Sequence, residues 1–300
     1  MAKNIVSKTS SSKKTASSHK IGGNGLPANG KNSIKTRLNI LKTYKIYIGG
    51  KFPRTESGRY YEIKDQHGFQ LANVCRSSRK DFRNAVVAAR KAFSGWSGKS
   101  AFNRGQIIYR IAEMLEGRSS QFEQEIIQQG TTPQQAKKEL ALSIDRLIYY
   151  AGWADKYQQI FSSVNPVSSS HFNFSLCEST GVVAVIAPED TSLLGLISTF
   201  VPIITGGNTC VVLASGTKPL CSITLAEVLN SSDVPGGVVN ILTGYESELH
   251  SWFASHMDVN AILYGNREPK IIKSIQENAT KNLKRVVNYG TTAWEKEESQ

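Results

Sequence analysis

Five short runs of apolar, largely β-branched residues recur in the second half of the chain, at 182–187, 209–213, 238–242, 260–264 and 284–287. Polar positions do not alternate through them, so each reads as a strand covered on both faces. Segments of helical length lie between, near 192–204, 219–230, 246–255 and 268–280, and turns such as Gly206-Gly207-Asn208 and Pro235-Gly236-Gly237 separate the runs. A parallel strand pair needs a crossover of a dozen residues or more, and these segments supply it. The pattern predicts an α/β fold with a doubly wound five-stranded parallel sheet. Ligands of such sheets sit beyond the carboxyl ends of the strands, here just after Ala187, Leu213, Leu242, Tyr264 and Val287.

The first half reads differently. An alternating strand is expected over 44–48, closed by Gly49-Gly50, with further short strands over 60–63 and 71–75. Four amphipathic helices come after them. The first starts after Ser78, carries Phe82, Ala85, Val86, Ala89 and Phe93 at helical spacing, and should end at the glycines of 95–98. The second carries Ile107, Ile111 and Leu115, the third Phe122 and Ile126, and the fourth, after Pro133, runs through Leu140, Ile144 and Leu147. These stripes are packing faces, an N-terminal helical layer against the sheet. Residues 168–177 alternate, with Phe172, Phe174 and Leu176 on one face, and no neighbouring segment offers an obvious hairpin mate. The apolar face is expected to be covered within the chain or offered to another subunit.

The net charge of +12 over 300 residues suggests a nucleic-acid or membrane binder until its placement is considered. Residues 1–55 hold twelve Lys or Arg and no acid, which leaves 24 basic and 24 acidic residues for the rest. Residues 1–40 are rich in Ser, Lys, Asn and Gly and too poor in apolar side chains to offset the entropy of ordering, so a disordered basic tail is expected. Nucleic-acid binding would rest on that tail alone. Within it, Gly23-Asn24-Gly25-Leu26-Pro27-Ala28 matches a dinucleotide fingerprint by letter. No strand enters that segment and Pro27 blocks the helix that should leave it, so it is a decoy. There is no apolar signal core and no run of spanning length, hence no membrane segment. Cys75, Cys177, Cys210 and Cys221 lack C-x-x-C spacing, which makes a reducing, cytoplasmic setting the expectation. Targeting to an organelle by the Lys-rich tail stays open beside it. No His, Cys and carboxylate set has metal-ligand spacing, and no metal is expected.

Several motifs resemble, in series, the NAD-binding half of aldehyde dehydrogenases. They are Gly181-Val182-Val183 through Pro188, Gly207-Asn208-Thr209 with Pro219-Leu220, the run from Pro235 to Gly244, Ala254-Ser255-His256 with Asp258-Val259, and Asn282-Leu283-Lys284-Arg285-Val286. Ile48-Gly49-Gly50 and the run from Ala88 to Phe93 belong to the same resemblance, which extends over 44–290. It implies a Rossmann-type domain, an oligomerisation arm over about 165–180, a polar C-terminal tail over 291–300, and a catalytic domain absent from this chain.

The resemblance also implies where chemistry should sit, and at each place the residue differs. The family asparagine that steadies the oxyanion is Asp190 here, an acceptor where a donor is needed. The lysine and glutamate that hold the adenosine ribose fall on Leu213 and Gly216. The Gly-Ser-Thr-Glu turn toward the pyrophosphate becomes Gly265-Asn266-Arg267-Glu268, where Arg267 and the helix start remain a candidate phosphate contact. The general-base glutamate falls on Asn288 or Tyr289, neither of which is a base at neutral pH. The resemblance therefore implies a catalytically inactive protein with no cofactor, associating with a complete aldehyde dehydrogenase or with itself through the 168–177 strand, as a structural or regulatory subunit. The alternative is the NAD- or NADP-binding part of a split or hetero-oligomeric aldehyde dehydrogenase.

Overall fold

The structure is a computed structural model and describes residues 40–290 and 292–296. The basic tail and the glycine-rich 23–28 segment lie outside the described residues. Leu41–Gln300 forms one unit. Its chain begins with a small sheet of β1 (Thr43–Tyr44), β2 (Tyr60–Lys64) and β3 (Gln70–Cys75), ordered β1-β3-β2. Four long helices come next: α1 (Arg79–Ser97), α2 (Ala101–Glu116), α3 (Ser119–Gln128) and α4 (Pro133–Trp153). A short helix α5 (Tyr157–Phe161) leads into a hairpin of β4 (Ser163–Asn165) and β5 (Asn173–Ser175). The alternating half is made of β6 (Val182–Ile186), α6 (Leu194–Thr205), β7 (Thr209–Leu213), α7 (Leu220–Ser231), β8 (Val239–Leu242), α8 (Glu246–Ser255), β9 (Ala261–Tyr264), α9 (Pro269–Ala279) and β10 (Arg285–Asn288).

The second half forms the expected parallel sheet, in the order β10-β9-β6-β7-β8. Successive side chains on a strand point to opposite faces, and in β6, β7 and β8 both faces are dry, whereas the edge strand β10, also expected to be covered, is largely exposed. Val183, Val185, Cys210, Val212, Val239 and Ile241 pack with α6 and α7 and, beyond them, α2 to α4. Val182, Ala184, Ile186, Val211, Leu242 and Ile262 pack with Phe82, Val86 and Ala89 of α1, Phe253 of α8 and Ile275 of α9. Phe82 and Phe253 stack with ring centroids 4.0 Å apart. The glycine turn before β8 lets α1 come close: Gly237 has φ +99°, and a Cβ there would lie 2.6 Å from the Ala88 carbonyl oxygen.

Two local expectations are corrected. The strand over 44–48 is split, because its two ends pair with different sheets. Thr43 and Tyr44 run alongside β3, whereas Tyr47 exchanges both backbone hydrogen bonds with Ile241 of β8, each 2.8 Å. Helix α1 ends where expected, at Ser97 with Gly98 as its C-cap, and Trp96 is fully buried in the last turn, its indole N–H donating to the Ile204 carbonyl at 2.9 Å. The alternating 168–177 segment is strand only over β5, and its mate is β4, immediately upstream. The turn 166–172 joins the two. The chain also stays packed past 290, since Trp294 is buried and its carbonyl accepts a hydrogen bond from Arg146 at 2.9 Å.

Asp81 ties the small sheet to α1. Its carboxylate caps the helix start by accepting from the Ser78 N–H at 2.7 Å, and it also accepts from Thr55 Oγ1 at 2.6 Å and the Glu56 N–H at 2.9 Å. Replacing it leaves those donors unmatched in a buried place. Asp81→Ala should lower the free energy of unfolding by about 2–4 kcal/mol, read as a fall in the urea midpoint, and Asp81→Asn should recover part of it.

Candidate functional site

The carboxyl ends of β6, β7, β8 and β9 carry the loops that open α6, α7, α8 and α9. Each helix start presents backbone N–H groups with no partner inside its own helix. In this chain side chains meet donors at the α6, α7 and α9 starts and in the loop before α7, Gln129 accepting from the Leu220 N–H of α7 at 3.0 Å, whereas α8 has no side-chain cap. Glu189, two residues past Ala187, sends its carboxylate across to the loop after β7. One oxygen accepts from the Gly216 N–H at 2.7 Å, and the other from Ser215 Oγ at 2.6 Å, Thr217 Oγ1 at 2.6 Å and the Thr217 N–H at 3.1 Å. Glu139 of α4 does the same for α6, one oxygen accepting from the N–H groups of Ser192, Leu193 and Leu194 at 2.8, 2.7 and 3.2 Å. Glu268 caps α9 from its own side chain.

A second row of contacts closes the crevice from the β9 side. Asn266 accepts from the Glu189 N–H at 2.9 Å, and its amide donates to the Ala187 carbonyl at 3.2 Å and to Glu246 at 2.8 Å. Glu246 also accepts from the Tyr264 hydroxyl. Gly265 sits tight against the β6 end, where a Cβ would come within 2.8 Å of the Pro188 nitrogen. Burial raises the Glu246 carboxyl above its usual range, opposed by its bonds to Tyr264 and Asn266 and assisted by the charge of Glu189. Burial and Glu246 together push the Tyr264 phenol up.

The structure gathers Gly216, Gly265 and Asn266 around Glu189 and disperses the other positions predicted from sequence. Leu213 is buried in the core with α1 and α8. Asp190 is exposed, and its carbonyl accepts from the Lys218 ammonium at 2.8 Å. Arg267 spends its Nε–H on the Gly290 carbonyl, which takes that edge of the guanidinium away from the α9 start. Asn288 accepts from the Gly290 N–H at 2.9 Å, and Tyr289 stands edge-on to Trp294. The thiols of Cys210 and Cys221 are wholly buried and pushed up by burial, the opposite of an activated nucleophile. No group of three or more His, Cys, Asp or Glu among the described residues could hold a metal ion, and no described helix is long and apolar enough to cross a membrane.

Sequence reasoning missed Glu189, Glu139 and Glu246. Only Glu189 left a local trace: a carboxylate directly after a buried strand and proline, facing a loop with the N–H-rich pattern Ser215-Gly216-Thr217.

The raised Glu246 pKa has a definite sign. Its neutral form is favoured in the folded chain, so its stabilising contribution is complete below the usual carboxylate range. It is lost as pH rises from that range through the raised folded value. Glu246→Gln should remove this fall. Urea midpoints of the two proteins measured across that window should therefore shift in favour of the glutamine variant as pH increases.

The comparisons agree with this architecture. Residues 52–289 match the aldehyde dehydrogenase family. Retinal dehydrogenase 2 of Mus musculus is 34% identical over 254 residues, 82% of this chain and 48% of its own length. Cytosolic aldehyde dehydrogenase 1 of Elephantulus edwardii is 33% identical over 259 residues, 84% and 50% respectively. Among solved structures, PnpE in complex with nicotinamide adenine dinucleotide aligns with a TM-score of 0.78 at 28% identity, covering 81% of this chain and 50% of that one. The chain thus spans about half the length of the relatives it matches. The chain belongs to the aldehyde dehydrogenase family.

Proposed function

We propose that this chain is a non-catalytic aldehyde dehydrogenase-type module acting as a structural or regulatory subunit of a complete aldehyde dehydrogenase. One observation carries the reading: the Glu189 carboxylate is docked on the loop that the family resemblance assigns to the adenosine ribose. The two positions that the resemblance assigns to the sugar ligands are Leu213 and Gly216, neither of which has a polar side chain, and the loop hydroxyls of Ser215 and Thr217 are already bonded to Glu189. A sugar placed on this loop would also meet a carboxylate that already holds the loop's N–H groups. The residues present therefore do not fit NAD in the manner of the family. Asp190, Asn288 and Tyr289 offer neither an oxyanion donor at the first position nor a carboxylate base at the last two.

The partner surface in this reading is the hairpin. Val164, Phe172, Phe174 and Leu176 are 68, 73, 53 and 62% exposed, a contiguous apolar patch on a two-stranded element too small to be stable alone. A cytoplasmic setting belongs to the same proposal, supported by four cysteines that all stand free.

A second reading, an NAD- or NADP-binding part of a split dehydrogenase, draws on the retained sheet and on the NAD complex of PnpE. Calorimetry separates the two. Titration of the full chain with NAD and with NADP should give no saturable heat, whereas a dissociation constant tighter than about 1 mM would favour the second reading. Co-expression with a complete aldehyde dehydrogenase from the same source tests the subunit role. The two chains should co-elute on size exclusion, and Phe174→Asp should release this one without altering its melting temperature. A monomer that ignores the dehydrogenase would contradict it.

A further inference from the structure

A cavity of about 290 Å³ lies between the first turns of α1 and the end of α8, away from the strand tips. Its walls carry Arg79, Phe82 and Arg83 from α1, and Trp252, Ser255 and His256 from α8 and the turn after it. Arg79 and Arg83 are four residues apart on one helix face and both reach the cavity. Among the described residues neither has an ion-pair partner. Arg76 and Lys80, on either side of Arg79, are paired with Glu248 and Glu56. The Arg79 guanidinium lies 4.2 Å from the centroid of the Trp252 ring, a cation–π contact that fixes its head and leaves its N–H edges free to bind. The backbone N–H groups at the α1 start play no part, because Ser78 and Asp81 already cap them.

A third positive group stands behind His256. The Lys284 ammonium donates to the carbonyls of His256 and Val259, both at 2.9 Å, and to Asn282 at 3.0 Å. Burial lowers the His256 pKa, Asp258 on the same turn raises it, and Lys284, Arg79 and Arg83 lower it. The cavity is thus a positive field with an aromatic lining: Phe82 meets the His256 ring edge-on at 5.6 Å.

We propose that this cavity binds the phosphate group of a small organic phosphate monoester, with Arg79 and Arg83 as its principal ligands and Trp252 and Phe82 against the organic part. Two guanidinium forks match the oxygens and the charge of a phosphate dianion, where a single carboxylate would neutralise only one of them. The volume sits at the small end of ligand pockets, which suits a compact monoester rather than a dinucleotide. His256, whose Nδ1 accepts from the Asp258 N–H at 3.2 Å, carries its proton on Nε2 and would offer that N–H to the phosphate as a further donor. The proposal is independent of Glu189 and of the reading of the strand tips.

The test uses the full chain, with phenyl phosphate, inorganic phosphate and benzoate as probes at an ionic strength fixed by chloride. The His256 ring resonance, assigned with His256→Asn, is followed by NMR. Phenyl phosphate should shift it saturably and raise its titration midpoint. Arg83→Gln and Arg79→Gln, at exposed positions and checked for unchanged melting, should each weaken phenyl phosphate about tenfold, and inorganic phosphate should bind several-fold more weakly than the ester. A resonance that phenyl phosphate leaves in place, arginine variants that bind as tightly as the parent, or benzoate binding as well as phenyl phosphate would overturn the assignment.

Discussion

Backbone N–H groups at the carboxyl end of a parallel sheet must be satisfied by something, and in this chain carboxylates of the chain itself satisfy those of the 216–217 loop and of the α6 start. The requirement is general: the first turn of every helix leaves donors without intrahelical partners, and burying them unpaired costs about 1–3 kcal/mol each. In a dinucleotide-binding sheet the ligand's anionic groups can meet that need. Here Glu189 meets it at the 215–217 loop and Glu139 at the start of α6. Asn266 and Glu246 then tie the β6 and β9 tips together. In a crevice organised in this way those donors have partners within the chain, and the proposed non-catalytic role rests on that.

The scaffold around the crevice is a consequence of two-sided burial. Because β6, β7 and β8 are covered on both faces, nearly all of their positions are apolar, and those positions are under the packing constraints that preserve a family fold at about one-third identity. Polar positions at the strand tips carry no such constraint. They can change from ligand contacts to internal caps while the sheet stays as it was. Fold and function are separable for this reason, and the match of residues 52–289 to the family establishes the first of them.

Much of the fold was legible in the sequence where burial left only one kind of residue. The five apolar runs mark the central strands to within a residue or two, and Ser78 with the Phe82 stripe marks the start of α1. Legibility failed where a long-range partner decided the outcome. Residues 44–48 alternate like one strand but switch between two sheets, which depends on β3 and Ile241. The hairpin strand β4, Ser163-Val164-Asn165, is too short and polar to show alternation. At the site, the positions of Leu213 and Gly216 followed from the family resemblance, whereas the contacts of Glu189 could not be read, since its partners lie 26 to 28 residues away in sequence.

The most direct test tracks the backbone amides that Glu189 holds. In nitrogen-15 NMR spectra of the full chain, the Gly216 and Thr217 resonances should stay in place through a titration with NAD and should move when Glu189 is replaced by alanine. Saturable movement of those two amides with NAD in the unaltered protein would mean that the dinucleotide displaces the carboxylate, and the non-catalytic account would fail.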